Sequence, residues 1–252
     1  MPYSGPPLPP VLVPAPIRAL AGDRPLLPVW QNELGGLAFR IGDADGNGNS
    51  ALFAKWAPAG TGLDLVAEAE RMRWAGRFTV VPRVRECGDG AEGSWLVTHG
   101  LPGESAVSPR WLADPAGAVR ALGAGLRALH EQLPVADCPF SWSVEHRLER
   151  ARQAGIEVPA ELAEQQPPID RLVVCHGDPC APNTLLHEDG SWAGHVDLGA
   201  LGVADRWADL AVAARNTGMN YGRGWEDTLV EAYGIAPDPY RSEFYWRLWN
   251  AT

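Results

Sequence analysis

A short polar loop set between two apolar runs constrains this chain more than any other feature. Val173-Val174-Cys175 leads into His176-Gly177-Asp178-Pro179-Cys180-Ala181-Pro182-Asn183, and Thr184-Leu185-Leu186 leads out. A second carboxylate with apolar flanks, Asp197, follows in Gly194-His195-Val196-Asp197-Leu198-Gly199. Apolar residues on both sides put these polar groups at strand ends, above a core that fixes them. An aspartate in a Gly/Pro-rich segment is ordinarily a turn residue. The combination of His-x-Asp-x4-Asn with a downstream apolar-Asp-Leu-Gly points further, to phosphoryl transfer. There one carboxylate orients or deprotonates an attacking hydroxyl. An amide oxygen and a second carboxylate hold the magnesium ions that bridge the nucleotide phosphates. His176 is read as a brace of the loop.

The remaining composition narrows the partners. A chain of 252 residues, 46% of them apolar, is long enough for one large domain or two lobes. Its formal net charge of −10 argues against nucleic acid, which needs a basic surface, and suits a polycationic small molecule. Cys87, Cys138, Cys175 and Cys180 are too few and too scattered for a disulfide framework, so a reducing cytoplasm is expected. No apolar run reaches the length of a membrane span. The Pro-rich start, with its first basic residue at Arg18, is unlike a signal peptide and is read as an extended leader over residues 1–28. Of 21 basic residues only Lys55 is a lysine. A compact ammonium on a flexible stem is a point charge for phosphate, which the planar fork of arginine replaces poorly.

Residues 29–100 read as β-rich with one helix. Leu37 to Ile41 alternates as a half-buried strand, Asp43 to Asn49 is a turn, and Ala51 to Trp56 returns with Lys55 in mid-strand. Asp64 to Ala75 is a helix with Asp64 as N-cap; Glu68 or Glu70 on it can reach a strand lysine. Phe78 to Val84 and Ser94 to Thr98 are two further strands, and Gly100-Leu101-Pro102-Gly103 marks a hinge. Residues 101–252 are mostly helical: Asp114 to Leu133, ending at a capping or satisfied His130, then Ser143 to Ala154, a helix begun by Asp205, and Arg241 to Trp249. Asp205 and Asp209 are expected to cap and brace. The order is that of an α+β protein of two lobes with a cleft between them.

Taken together, the chain resembles the aminoglycoside O-phosphotransferases, small-molecule kinases with a protein-kinase-like fold, from about Val29 to Trp246. The signatures are His176-Gly177-Asp178 with Asn183, Val196-Asp197-Leu198-Gly199, Gly202 to Ala211, and Asp137-Cys138-Pro139-Phe140. Val174 to Asn183 and Phe53 to Ala59 are most similar to streptomycin 3''-phosphotransferases, with the kanamycin/neomycin 3'-enzymes next. The resemblance implies an N-terminal lobe of antiparallel sheet with one helix, a mainly helical C-terminal lobe, and ATP and Mg2+ as cofactors. It makes Asp178 the catalytic aspartate facing the drug hydroxyl, and Asn183 and Asp197 the magnesium ligands. Lys55 would contact the α- and β-phosphates with Glu68 as its helix partner, and the backbone from Thr98 to Gly100 would hold adenine. The substrate is then an aminoglycoside, streptomycin at its 3''-hydroxyl before a 3'-type drug or another small hydroxyl compound, and the protein a cytoplasmic monomer.

The drug-binding half departs from the family pattern. The insert after Phe140 is short, and Met219, Asn220, Leu248 and Trp249 stand where related enzymes carry acidic residues. Two readings from other classes compete. One is a nucleotide-binding pseudoenzyme, against which Lys55, Asp178, Asn183 and Asp197 all speak. The other is a metallohydrolase built from His176, Asp178, His187, His195 and Asp197.

Overall fold

The computed structural model describes residues 5–42 and 51–252, so the turn expected over Asp43 to Asn49 lies outside the described residues. The chain divides into two compact units, Met1–Arg77 with Val81–Pro102, and Phe78–Val80 with Gly103–Thr252.

The first unit contains α1 (Ala15–Ala21), β1 (Leu26–Gln31), β2 (Leu37–Ile41), β3 (Leu52–Pro58), α2 (Leu65–Ala75), β4 (Val84–Gly90) and β5 (Gly93–His99). The strands form one antiparallel sheet in the order β1-β2-β3-β5-β4. Strand alternation sorts the side chains. Phe39 and Ile41 of β2 and Leu52, Ala54 and Trp56 of β3 share one buried face with Val97. Lys55, between Ala54 and Trp56, therefore points to the other face, where α2 lies. The Asp64 carboxylate caps α2 by accepting the Ala67 N–H at 2.8 Å, as its sequence position implied.

Two expectations for this unit change. Residues 1–28 are not only a leader, because α1 places Ile17 and Ala21 in the same apolar cluster as Phe39 and Trp56. β1 begins at Leu26, with Pro28 beside a bulge on an edge strand, where its missing N–H costs no central ladder bond. The strand expected over Phe78 to Val84 starts only at Val84 and runs to Gly90. Pro82 cannot donate to a ladder, and the true strand is a polar edge whose outer face is exposed, which hides its periodicity.

The second unit contains β6 (Glu104–Ser105), α3 (Pro109–Leu112), α4 (Pro115–Gln132), α5 (Val144–Gln153), α6 (Glu161–Glu164), β7 (Leu172–Cys175), β8 (Thr184–Leu186), β9 (Trp192–His195), β10 (Gly202–Asp205), α7 (Trp207–Tyr221), α8 (Glu226–Tyr233) and α9 (Pro239–Ala251). α4 packs on α8, and α7 on α8 and α9. Two small sheets stand beside the helices, β6-β8-β9 and β10-β7. The β7–β10 pair was not expected. Asp205 ends β10 rather than opening the helix, although its carboxylate does accept the Trp207 N–H at 3.0 Å. The polar loop of the opening motif runs from β7 to β8, and Asp197 follows β9. Among the described residues no helix is long and apolar enough to cross a membrane.

Candidate active site

In the first unit, Lys55 Nζ meets Glu68 Oε1 at 2.7 Å, with the Glu68 side chain 4% exposed and that of Lys55 26%. A carboxylate that deep is tolerated because an ammonium compensates it. Of the two helix glutamates considered, Glu68 is the partner. The stretch from Thr98 to Gly100 lies at the end of β5, and two of its main-chain donors are committed. The His99 N–H bonds Arg83 O, and the Gly100 N–H bonds Ala51 O, both at 2.9 Å.

In the second unit, the loop after β7 is built from its base upward. Asp209, fully buried in the first turn of α7, accepts the backbone N–H of His176 at 2.6 Å and of Gly177 at 2.9 Å. The same carboxylate is bonded by His130 Nε2 at 3.0 Å, and His130 Nδ1 by the Tyr233 hydroxyl at 2.9 Å. A neutral His130 with its proton on Nε2 satisfies the whole chain: the phenol donates to Nδ1, and Nε2–H donates to Asp209. Gly177 then turns the backbone at φ +90°, with the Ala200 oxygen and methyl 2.5 Å from where a β-carbon would sit. Gly177→Ala is expected to destabilise the protein by about 2–4 kcal/mol, from left-handed strain plus overpacking. Urea unfolding checks it; an unchanged midpoint would show that the turn is not so confined.

His176 links the two carboxylate-bearing segments. Its Nδ1 accepts the Asp178 N–H at 3.2 Å and its Nε2 bonds Val196 O at 2.9 Å, which fixes the neutral Nε2–H tautomer. Asn183 closes a single 3-10 turn, Ala181–Asn183. Its amide nitrogen donates to Asp178 at the carbonyl (3.1 Å) and at Oδ2 (3.3 Å). The amide oxygen is thereby turned away from Asp178. Val196 N–H bonds Asn183 O at 2.9 Å, tying this turn to the residue before Asp197. Asp197 is the one non-glycine residue with positive φ, +67°, among the described residues. That conformation costs an aspartate roughly 1 kcal/mol, and such strain concentrates at functional sites.

The electrostatics fit a cation. Burial raises the Asp178 carboxyl above its ordinary range, and the charge of Asp197 adds to it. Half-buried carboxylates that repel each other are hard-oxygen donors of the kind divalent magnesium takes. Burial, with the charges of Asp178 and Asp197 beside it, pushes the Cys180 thiol far up, so it is no nucleophile.

The metallohydrolase set does not assemble. His195 is buried with Nδ1 taken by Trp192 Nε1 at 3.1 Å. The one His/Cys/Asp/Glu group close enough to share an ion among the described residues is His130, Cys175 and Asp209, whose His and Asp are already bonded to each other. Of the altered drug-binding positions, Met219 is 68% exposed and Leu248 fully buried. Asn220 bonds Asn216, whose Oδ1 in turn accepts the Ala181 N–H at 2.8 Å. Trp249 stacks on Trp246 at 5.4 Å. The brace formed by His130 and Tyr233 was not read from the sequence, since nothing local says what a helical His or Tyr meets a hundred residues away.

Comparison with known proteins agrees with this geometry. Residues 35–245 match the phosphotransferase enzyme family. The chain is 37% identical over 255 residues to the streptomycin 3''-kinase of Streptomyces griseus, covering 88% of this chain and 90% of that one. It is 36% identical over 210 residues to an aminoglycoside 3'-phosphotransferase of Streptomyces fradiae, covering 73% and 78%. Among solved structures, an aminoglycoside-3'-phosphotransferase of type VIII superposes with a TM-score of 0.75 at 29% identity, over 93% of this chain and 97% of that one. Aminoglycoside phosphotransferase APH(3'')-Id from Streptomyces rimosus, in complex with ADP and streptomycin, superposes at 0.68 with 30% identity, over 92% and 94%. With a kinase-like loop, a lysine–glutamate pair and relatives of this kind over nearly its whole length, the chain belongs to the phosphotransferase enzyme family and, within it, to the aminoglycoside phosphotransferases.

Proposed function

We propose that the protein transfers the γ-phosphoryl group of ATP to the 3''-hydroxyl of streptomycin. The observation that carries the chemistry is Asp178, held by Asn183 and His176 and kept protonatable by burial beside Asp197. In the proposed step the drug oxygen forms a bond to the γ-phosphorus, the bond from that phosphorus to the ADP oxygen breaks, and the hydroxyl proton passes to Asp178. Asn183 and Asp197 would hold magnesium, which supplies charge neutralisation on the phosphates. Lys55, kept in place by Glu68, would hold the α- and β-phosphates. Positioning and charge stabilisation account for most of the rate. The choice of streptomycin is supported by similarity to a streptomycin 3''-kinase that runs across most of both chains. All four cysteines are free thiols, in keeping with work in the cytoplasm, where the protein would act as a monomer. A 3'-phosphotransferase is the second reading, favoured by the type VIII superposition.

ADP release measured with streptomycin, kanamycin and neomycin separates the two readings. Turnover with streptomycin at least about tenfold above the others is expected, a difference of about 1.4 kcal/mol in the barrier. Turnover only with the 3'-type drugs would move the assignment to the second reading. ADP release with none of them would leave a different hydroxyl compound as substrate.

A further inference from the structure

A second group of cations lies at the ends of α4, β7 and α8, against the His130–Tyr233 brace. A cavity of about 80 Å³ there is lined by Arg127, Arg171, Arg206, His130, Tyr233 and Glu131. Three guanidiniums and one carboxylate on one small wall are unusual in a chain of net charge −10. His130 and Tyr233 are satisfied by each other and by Asp209, so the donors left to the cavity are arginine N–H groups. Arg127 bonds Glu131 through Nε at 2.7 Å, and Arg206 bonds Asp170 through Nε at 2.6 Å. Each pair uses only part of the five-donor guanidinium fork. The charges of Arg206 and Arg171 both act on the Tyr233 phenol, so both guanidiniums sit about one group. The Arg171 side chain has no hydrogen-bond or ion-pair partner among the described residues. Its carbonyl accepts the Arg206 N–H at 2.9 Å, which starts the two side chains from adjoining backbone. Gly234, at φ +98°, completes the seat: Arg127 Nη1 packs where any side chain at 234 would lie.

We propose that this cavity is a binding site for a small tetrahedral oxyanion of the phosphate class, held between Arg171, Arg206 and Arg127. Arginine forks match phosphate oxygens in both charge and geometry. The cavity is small, about 80 Å³, a size in keeping with a small ion.

The test is the unfolding temperature of the full chain titrated with inorganic phosphate at constant ionic strength. Saturating ADP is present so that phosphate at the nucleotide site does not contribute. Phosphate is expected to raise the midpoint above a chloride control. Arg171→Ala is expected to need about tenfold more phosphate for the same rise, the loss of one charge-assisted hydrogen bond, and Arg171→Glu to show no rise. The exposed Arg120→Ala, on the same helix as Arg127 but outside the cavity, should behave as wild type. Arg171 bears no contact the fold depends on, so its variants should remain folded, which the phosphate-free midpoints check. No rise beyond chloride, or equal phosphate dependence in wild type and both Arg171 variants, overturns the proposal. A rise that ADP abolishes places the ion elsewhere and overturns it too.

Discussion

Replacing Asp178 with alanine is expected to lower turnover by about 10²-fold or more, with nucleotide affinity little changed and thermal stability unchanged or higher. The last part follows from the environment of the carboxylate. Burial and the charge of Asp197 disfavour its ionised form, so removing it relieves repulsion while deleting the proton acceptor. A residue that served only the fold would behave in the opposite way, with stability falling alongside activity. The pH profile should agree. A raised folded-state pKa means that the ionised, proton-accepting form is lost as pH falls through a value above the ordinary carboxylate range, so the acid limb of kcat/KM should lie above that range. Near-normal turnover in the alanine variant would remove Asp178 from the chemistry.

Asp209→Ala is expected to do the reverse, costing about 3–5 kcal/mol of stability and most of the activity with it. The carboxylate has no exposure and serves three partners, the N–H groups of His176 and Gly177 and the ring of His130. Alanine would leave the two main-chain donors buried and unpaired, each costing about 1–3 kcal/mol. Asp209→Asn restores one acceptor at most and aims an amide N–H at donors, so it should recover little. Urea denaturation of both variants measures this. An alanine variant as stable as wild type would mean that the loop is held from elsewhere.

These two aspartates mark what could be read in advance. Asp178, Asn183 and Asp197 announce themselves because phosphoryl-transfer chemistry fixes residue types at short spacings, and the strands flanking them follow from apolar runs. Lys55 stood out because the chain holds one lysine, and its strand and the helix of Glu68 were both legible from alternation and from the Asp64 cap. Between Glu68 and Glu70 spacing alone could not choose, since the helix rotation that buries one of them is set by packing; the family resemblance chose Glu68, and that is the glutamate Lys55 meets. β4 was missed for a related reason: an edge strand such as Val84-Arg85-Glu86-Cys87-Gly88-Asp89-Gly90 has no apolar face to show. α1 was missed because proline-rich flanks conceal Ile17, whose burial depends on Phe39 and Trp56. The support of the loop by Asp209, His130 and Tyr233 is a product of tertiary contact alone, and only coordinates reveal it.

At position 197 main chain and side chain make separate demands. The backbone hand there, φ +67°, is accepted readily by glycine and fairly well by asparagine. Neither brings a negative charge, and glutamate brings the charge on a longer arm with no such tolerance of the turn. No amino acid meets both demands except the one present. Exchanges to glycine or asparagine would therefore keep the backbone turn while removing this carboxylate from the site, so the backbone and the chemistry select the same residue for separate reasons.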